Sequence, residues 1–194
     1  MPARLNLPNT LTWIRIILIP LIVLVFYLPH YWPFIPAYWA GPVAAIIFSL
    51  AGITDWLDGY FARKLNQVSN FGAFLDPVAD KLMISTALVL LVSRHPGFVV
   101  AIPAAIIIGR EIAVSALREW MSELGRRHHV SVSGIGKYKT TAQITALIMM
   151  LWEHTLWFVP MYEIGYGFLL AAAVLTLWSM WKYLVAAWPH LRGD

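Results

Sequence analysis

Apolar stretches long enough to cross a bilayer recur six times along this chain, at about 11–29, 40–62, 73–93, 98–120, 136–158 and 160–188. Backbone polar groups inside hydrocarbon have no water to bond, so such stretches commit the chain to helices that satisfy their own N–H and C=O groups. Polar or proline-bearing breaks separate them. Pro29, His30 and Pro33 follow the first, residues 64–70 the second, Arg94-His95-Pro96-Gly97 the third, residues 122–133 the fourth and Val159-Pro160 the fifth. The expected fold is an all-α integral membrane protein with six transmembrane helices, one domain over residues 1–194. The first stretch reads as a retained helix, because its apolar run is long and bulky residues follow where a signal peptide is cut after small ones.

Composition narrows the classes of function. Of 194 residues, 60% are hydrophobic and 12% charged, with a mean hydropathy of +0.69, whereas an ordinary soluble domain is roughly a quarter charged. A soluble globular enzyme, a disordered chain and a nucleic-acid binder are excluded. The excess of 14 Lys+Arg over 10 Asp+Glu marks basic cytoplasmic edges in a protein of this kind. An inside N-terminus places Arg4, Arg63, Lys64, Arg126, Arg127, Lys137, Lys139 and Arg192 at the inner face and Arg94 outside, with both termini cytoplasmic. Tyr31, Trp32, Trp39, Trp152, Trp157 and Tyr162 then form an outer aromatic belt. Without cysteine there are no disulfides, thiol nucleophiles or thiolate metal sites.

The chemistry concentrates between the second and third stretches. Asp55 and Asp58 share a helical face by i,i+3 spacing, and Asp76 and Asp80 share one by i,i+4. Ionised carboxylates at membrane depth are costly and repel one another, so something positive must sit among them. Arg63 and Lys81 are local, yet four hard oxygen donors suit divalent magnesium or manganese, two ions being expected. Gly59, Ala62 and Gly72 leave room for a phosphate-bearing ligand to approach the backbone. Asp76, followed by Pro77, also fits a helix N-cap with proline at the first helical position, and both readings of it stand at this point.

The pattern Asp55-x2-Asp58-Gly59-x2-Ala62-Arg63-x8-Gly72-x3-Asp76-x3-Asp80 resembles the signature of the CDP-alcohol phosphatidyltransferase family at every fixed position. The resemblance implies that Asp55, Asp58 and Asp76 hold metal ions that grip the CDP pyrophosphate. It also implies that Asp80 lies at the metals and is the base for the acceptor hydroxyl; spacing alone does not separate base from ligand. Gly59, Ala62, Arg63 and Gly72 would belong to the CDP-diacylglycerol side of the site. The implied protein is a six-helix homodimer in the lipid of a bacterial cytoplasmic membrane, its site open to the cytoplasm.

A second polar set lies on the inner halves of the fourth and fifth stretches: Gly109-Arg110-Glu111, Arg118-Glu119 and Gly136-Lys137-Tyr-Lys139. Arg110 falls halfway along an apolar helix, where an arginine needs an anion or a wet cavity, and Arg118 lies eight residues on, close to the same stripe. Arg110, Arg118 and Lys137 are candidate phosphate binders, which favours an acceptor that carries its own phosphate. Local pairing of the arginines with Glu111 or Glu119 competes with that reading, and Lys139 reads as snorkelling to headgroups. Arg15, just inside the first stretch, either snorkels or closes the cytoplasmic site. Stretches around Asn6 to Arg15, Phe71 to Lys81, Arg110 to Glu119 and Gly136 to Ala142 further resemble the branch of the family whose acceptor is sn-glycerol 3-phosphate. This implies phosphatidyl transfer from CDP-diacylglycerol to that acceptor with release of CMP. The competing readings are a relative with another acceptor (inositol phosphate, serine or phosphatidylglycerol) and, from a different class, a divalent-cation transporter.

Overall fold

A computed structural model describes residues 7–64, 70–123 and 135–191 of the chain. Six helices follow one another: α1 (Leu7–Tyr31), α2 (Ala40–Lys64), α3 (Asn70–Arg94), α4 (Phe98–Glu123), α5 (Ile135–Trp152) and α6 (Met161–Leu191), with a 3-10 turn at Ala37–Trp39. Among the described residues there is no β-strand, only an isolated bridge between Leu156 and Val159. Arg4, Arg126, Arg127 and Arg192, used above to orient the chain, lie outside the described residues.

Among the described residues, four segments are long and apolar enough to cross a membrane: Thr10–Tyr31, Ala37–Leu57, Phe98–Ser122 and Met161–Val185. The other two helices are those with polar starts. α3 carries Asp76, Asp80 and Lys81 early and Arg94 at its end, and α5 opens with Lys137 and Lys139. Asp76, Asp80 and Lys137, which dilute their hydropathy, are among the residues singled out above for chemistry.

Small residues let the helices close. Ala44, Ala45 and Ala51 of α2, Ala146 of α5 and Ala172 of α6 are almost fully buried beside Phe48, Leu88 and Leu147. Without a hydrophobic drive between helices in lipid, such close backbone approach supplies the packing energy. Large apolar side chains such as Ile17, Leu24, Val89, Val174 and Trp181 point outward, as a hydrocarbon solvent allows. α1 packs on both α2 and α3, α5 on α6 and α2, and α4 on α6 and α3. Both α2 and α3 make their broadest contact with α1 rather than with each other, so the two aspartate-bearing helices meet through α1.

Two sequence expectations are corrected here. The fifth stretch was expected to run to about residue 158, but α5 ends at Trp152 because Glu153 takes a left-handed φ of 67°, which breaks helical hydrogen bonding. The Glu153 carboxylate lies 3.3 Å from Arg94 Nη2 and 3.3 Å from His95 Nε2, at the turn between α3 and α4, and these contacts offset the strain. Asp76 is not an N-cap: α3 starts at Asn70, so Asp76 and Pro77 lie inside the helix.

Of the two glycines near the start of α6, Gly165 and Gly167, the first lies at a close helix contact. A Cβ on Gly165 would meet Met149 Cβ at 2.8 Å and the Met150 backbone nitrogen at 3.0 Å, whereas Gly167 faces open space. Gly165→Ala is expected to cost about 1–3 kcal/mol by overpacking α5 against α6, and to lower the melting midpoint of the detergent-solubilised protein by several degrees. Gly167→Ala leaves the midpoint unchanged. Equal midpoints for the two variants would contradict this packing.

Candidate active site

α1 supplies the contact that gathers the aspartates. Thr12 and Arg15 are three residues apart and share one face of the helix. Arg15 Nη2 lies 2.9 Å from Asp55 Oδ1 on α2, and Nη1 lies 2.7 Å from Asp80 Oδ1 on α3. One turn earlier, Thr12 donates its hydroxyl to Asp76 Oδ1 at 2.7 Å. Aspartates from two helices are thus held by residues of a third.

Burial is divided unevenly across this cluster. The Arg15 side chain is 0% exposed, while those of Asp55 and Asp80 are 45% and 44% exposed. A guanidinium inside the bundle is tolerable because two carboxylates face it, and the carboxylates stay partly accessible on their other side. Arg15 is therefore the residue whose role the sequence left open, and burial against Asp55 and Asp80 replaces the snorkelling alternative. Asp58, Gly59, Ala62 and Arg63 follow within the last turns of α2, with their side chains outside the described residues; Gly72 is buried in the first turn of α3.

Arg15 brings one positive charge against the two carboxylates it contacts, so negative charge is in excess within that ion-pair group. Among the described residues, from which the Asp58 side chain is missing, no three acidic or histidine groups already form a closed metal cage. The donors nevertheless suit a hard divalent cation: oxygen ligands only, two of them converging from separate helices, each partly accessible.

The second polar set also assembles, between α4, α5 and α6. Arg110 is 8% exposed midway along α4. It donates from Nη1 to Glu111 Oε1 at 2.8 Å and from Nη2 to Ser179 Oγ at 2.7 Å. Lys139 Nζ donates to the same Glu111 oxygen at 2.6 Å and is 3% exposed. The snorkelling expected of Lys139 is overturned, because Lys139 is buried and a partly buried carboxylate from α4 lies within its reach. Arg118 donates from Nη2 to Tyr183 Oη at 2.7 Å, and the guanidinium carbons of Arg110 and Arg118 sit 5.6 and 5.2 Å from the Tyr183 ring centroid. The shared stripe read from their spacing is real. Lys137 lies in the first turn of α5 with its side chain outside the described residues. Ser179 and Tyr183 were missed by sequence reasoning; their i,i+4 spacing opposite Arg110 and Arg118 was the available signal, hidden in an apolar stretch.

α3 packs against both α4 and α5, so the helix bearing Asp76 and Asp80 adjoins the helices bearing Arg110 and Lys139. At the far end of α3 and α5 the acid Glu153 is engaged by Arg94 and His95, which ties it into a turn instead of a transmembrane path.

Residues 5–184 match the CDP-alcohol phosphatidyltransferase family. A CDP-diacylglycerol–glycerol-3-phosphate 3-phosphatidyltransferase of Pseudomonas fluorescens is 52% identical over 194 aligned residues, covering 98% of this chain and 94% of the relative. Proteins of the same name from Salmonella choleraesuis (51% identity; 98% of this chain, 97% of the relative) and Shigella flexneri serotype 5b (52%; 95% and 96%) match along nearly their whole length. Members of the matched family generally depend on a divalent metal, which agrees with the oxygen-rich donor set between α2 and α3. With the match running almost end to end, the chain belongs to the CDP-alcohol phosphatidyltransferase family and is a transferase enzyme.

Proposed function

We propose that this protein transfers the phosphatidyl group of CDP-diacylglycerol to sn-glycerol 3-phosphate, releasing CMP and forming phosphatidylglycerol phosphate. The observation that carries the reading is the meeting of Asp55 and Asp80, from two helices, at the buried Arg15. The name shared by relatives of about this length supports the acceptor.

Asp55, Asp58, Asp76 and Asp80 would hold two divalent ions, Mg2+ or Mn2+. When bound, such ions supply Lewis-acid neutralisation of the diphosphate and of the departing CMP phosphate. The chain's own residues do the rest. Arg15 fixes Asp80 beside Asp55; Asp80 takes the proton of the attacking acceptor hydroxyl as the new P–O bond forms and the bond to CMP breaks in line. Arg110, Arg118 and Lys137 hold the acceptor's phosphate by charge-assisted hydrogen bonds. Gly59, Ala62, Arg63 and Gly72 line the side that takes CDP-diacylglycerol. We place all six helices across a bacterial cytoplasmic membrane, with both termini and the site facing the cytoplasm, and the working unit as a homodimer. The cation distribution supports the orientation, and the family resemblance supports the dimer.

Radiolabelled glycerol 3-phosphate, supplied to the purified protein in vesicles containing CDP-diacylglycerol, is expected to enter lipid, and chelation of divalent ions is expected to stop it. A failure of the wild type to make labelled lipid with ions present would overturn the reading. Asp80→Asn abolishes turnover while leaving CDP-diacylglycerol binding measurable; full activity would remove the base assignment. Arg110→Ala raises the acceptor KM by about 10-fold or more, the size of a lost hydrogen bond to a charged group, and leaves the donor KM alone. Equal shifts in both would count against the acceptor pocket.

Arg15 generates a separate expectation. Arg15→Met removes the cation shared by Asp55 and Asp80 and is expected to cut turnover on the order of 10- to 100-fold, as when one partner of a desolvated ion pair is deleted. Arg15→Lys restores only part, because one ammonium does not reproduce a two-pronged guanidinium contact. Wild-type turnover in Arg15→Met, with an unchanged melting midpoint, would show that the bridge has no part in catalysis.

A further inference from the structure

α6 carries none of the family's aspartates, yet it contacts both candidate acceptor arginines of α4. Ser179 and Tyr183 lie one turn apart on α6, 3% and 8% exposed, and each accepts a 2.7 Å hydrogen bond from an arginine of α4. The Tyr183 ring also lies within 5.6 and 5.2 Å of the two guanidinium carbons, inside the range of cation–π attraction.

We infer that Ser179 and Tyr183 are positioning residues that build the acceptor-phosphate seat by fixing the two arginines without neutralising them. The inference rests on the reading of Arg110 and Arg118 as acceptor-phosphate binders. Its physical basis is the kind of partner α6 supplies. A carboxylate would orient a guanidinium equally well but would cancel the charge that a phosphate needs. Hydroxyls and a π-face hold it and leave the charge in place.

The charge count around the pair agrees. Arg110 and Lys139 share the single carboxylate of Glu111, so that group keeps one positive charge in excess, while Arg118 is met by the hydroxyl and ring of Tyr183. Arg110 spends Nη1 on Glu111 and Nη2 on Ser179. Its Nε is buried and has no hydrogen-bond partner among the described residues. An N–H donor nine-tenths buried, unpaired and attached to a fixed cation is costly when vacant and recovers that cost when an anionic oxygen arrives. A phosphorylated alcohol brings such oxygens; an unphosphorylated one does not. Ser179 and Tyr183 thereby act on acceptor choice, through the arginines, and touch neither the donor nor the reacting phosphorus.

Three variants of the full-length enzyme in CDP-diacylglycerol vesicles test this: Tyr183→Phe, which keeps the ring and loses the hydroxyl, Tyr183→Leu, which loses both, and Ser179→Ala. The KM for sn-glycerol 3-phosphate is expected to rise about 5- to 10-fold in Tyr183→Phe and in Ser179→Ala, the loss of one charge-assisted hydrogen bond each, and further in Tyr183→Leu. The donor KM and kcat stay within about twofold of wild type, and preference for glycerol 3-phosphate over free glycerol falls in the same order. Unchanged acceptor KM in Tyr183→Phe and Ser179→Ala, or parallel changes in both substrates' KM values, overturns the inference while leaving the proposed function standing. If Tyr183→Leu fails to fold, the two conservative variants decide. A wild type inactive with glycerol 3-phosphate overturns the function and this inference together.

Discussion

A guanidinium buried inside a membrane bundle must be met by negative charge, and Arg15 is met from two helices at once. That requirement explains the packing. α2 and α3 contact each other less broadly than each contacts α1, so their aspartates converge because both helices close on the same cation. Thr12 adds a hydrogen bond to Asp76 from the same face. The first helix, which has no acidic residue of its own, sets the spacing of the acids that do the chemistry.

The aspartates themselves were legible because their cost is legible. Carboxylates inside apolar sequence demand compensation, and their fixed spacing carries a family signature. What compensates them was not, since Arg15 and Asp80 are 65 positions apart and periodicity does not reveal which helices are neighbours. Single-residue rules failed for the same reason. Asp76-Pro77 has the form of a helix start, yet the helix begins at Asn70 and the Asp76 carboxylate accepts from Thr12 of another helix instead of capping its own. Lys139 has the form of an interfacial lysine, yet Glu111 of another helix holds it at 2.6 Å. In each case a tertiary partner outweighed the local preference.

The helical pattern was readable to within a few residues except where one side chain set the boundary. Nothing local in Glu153 distinguishes it from a residue that continues α5; its left-handed backbone is stabilised by Arg94 and His95 from the α3–α4 turn. Four of the helices declare themselves by hydropathy. α3 and α5 do not, because the Asp, Lys and Arg residues they carry lower the average over the helix.

The two polar clusters are electrostatic opposites with one feature in common. Between α1, α2 and α3, two carboxylates share one buried cation; between α4 and α5, two cations share one carboxylate. In each, the resident counter-ion is enough to let the helices pack and too little to neutralise the group. On the proposed function the missing charge arrives with the reactants: divalent ions and a diphosphate on one side, a phosphorylated acceptor on the other. Because α3 packs against both α4 and α5, each surplus is also attractive to the other across that contact, so an acceptor whose phosphate screens the cations lets its hydroxyl end approach the carboxylates. An enzyme arranged this way gains most from binding both substrates together, since either alone leaves one cluster uncompensated in a low-dielectric interior.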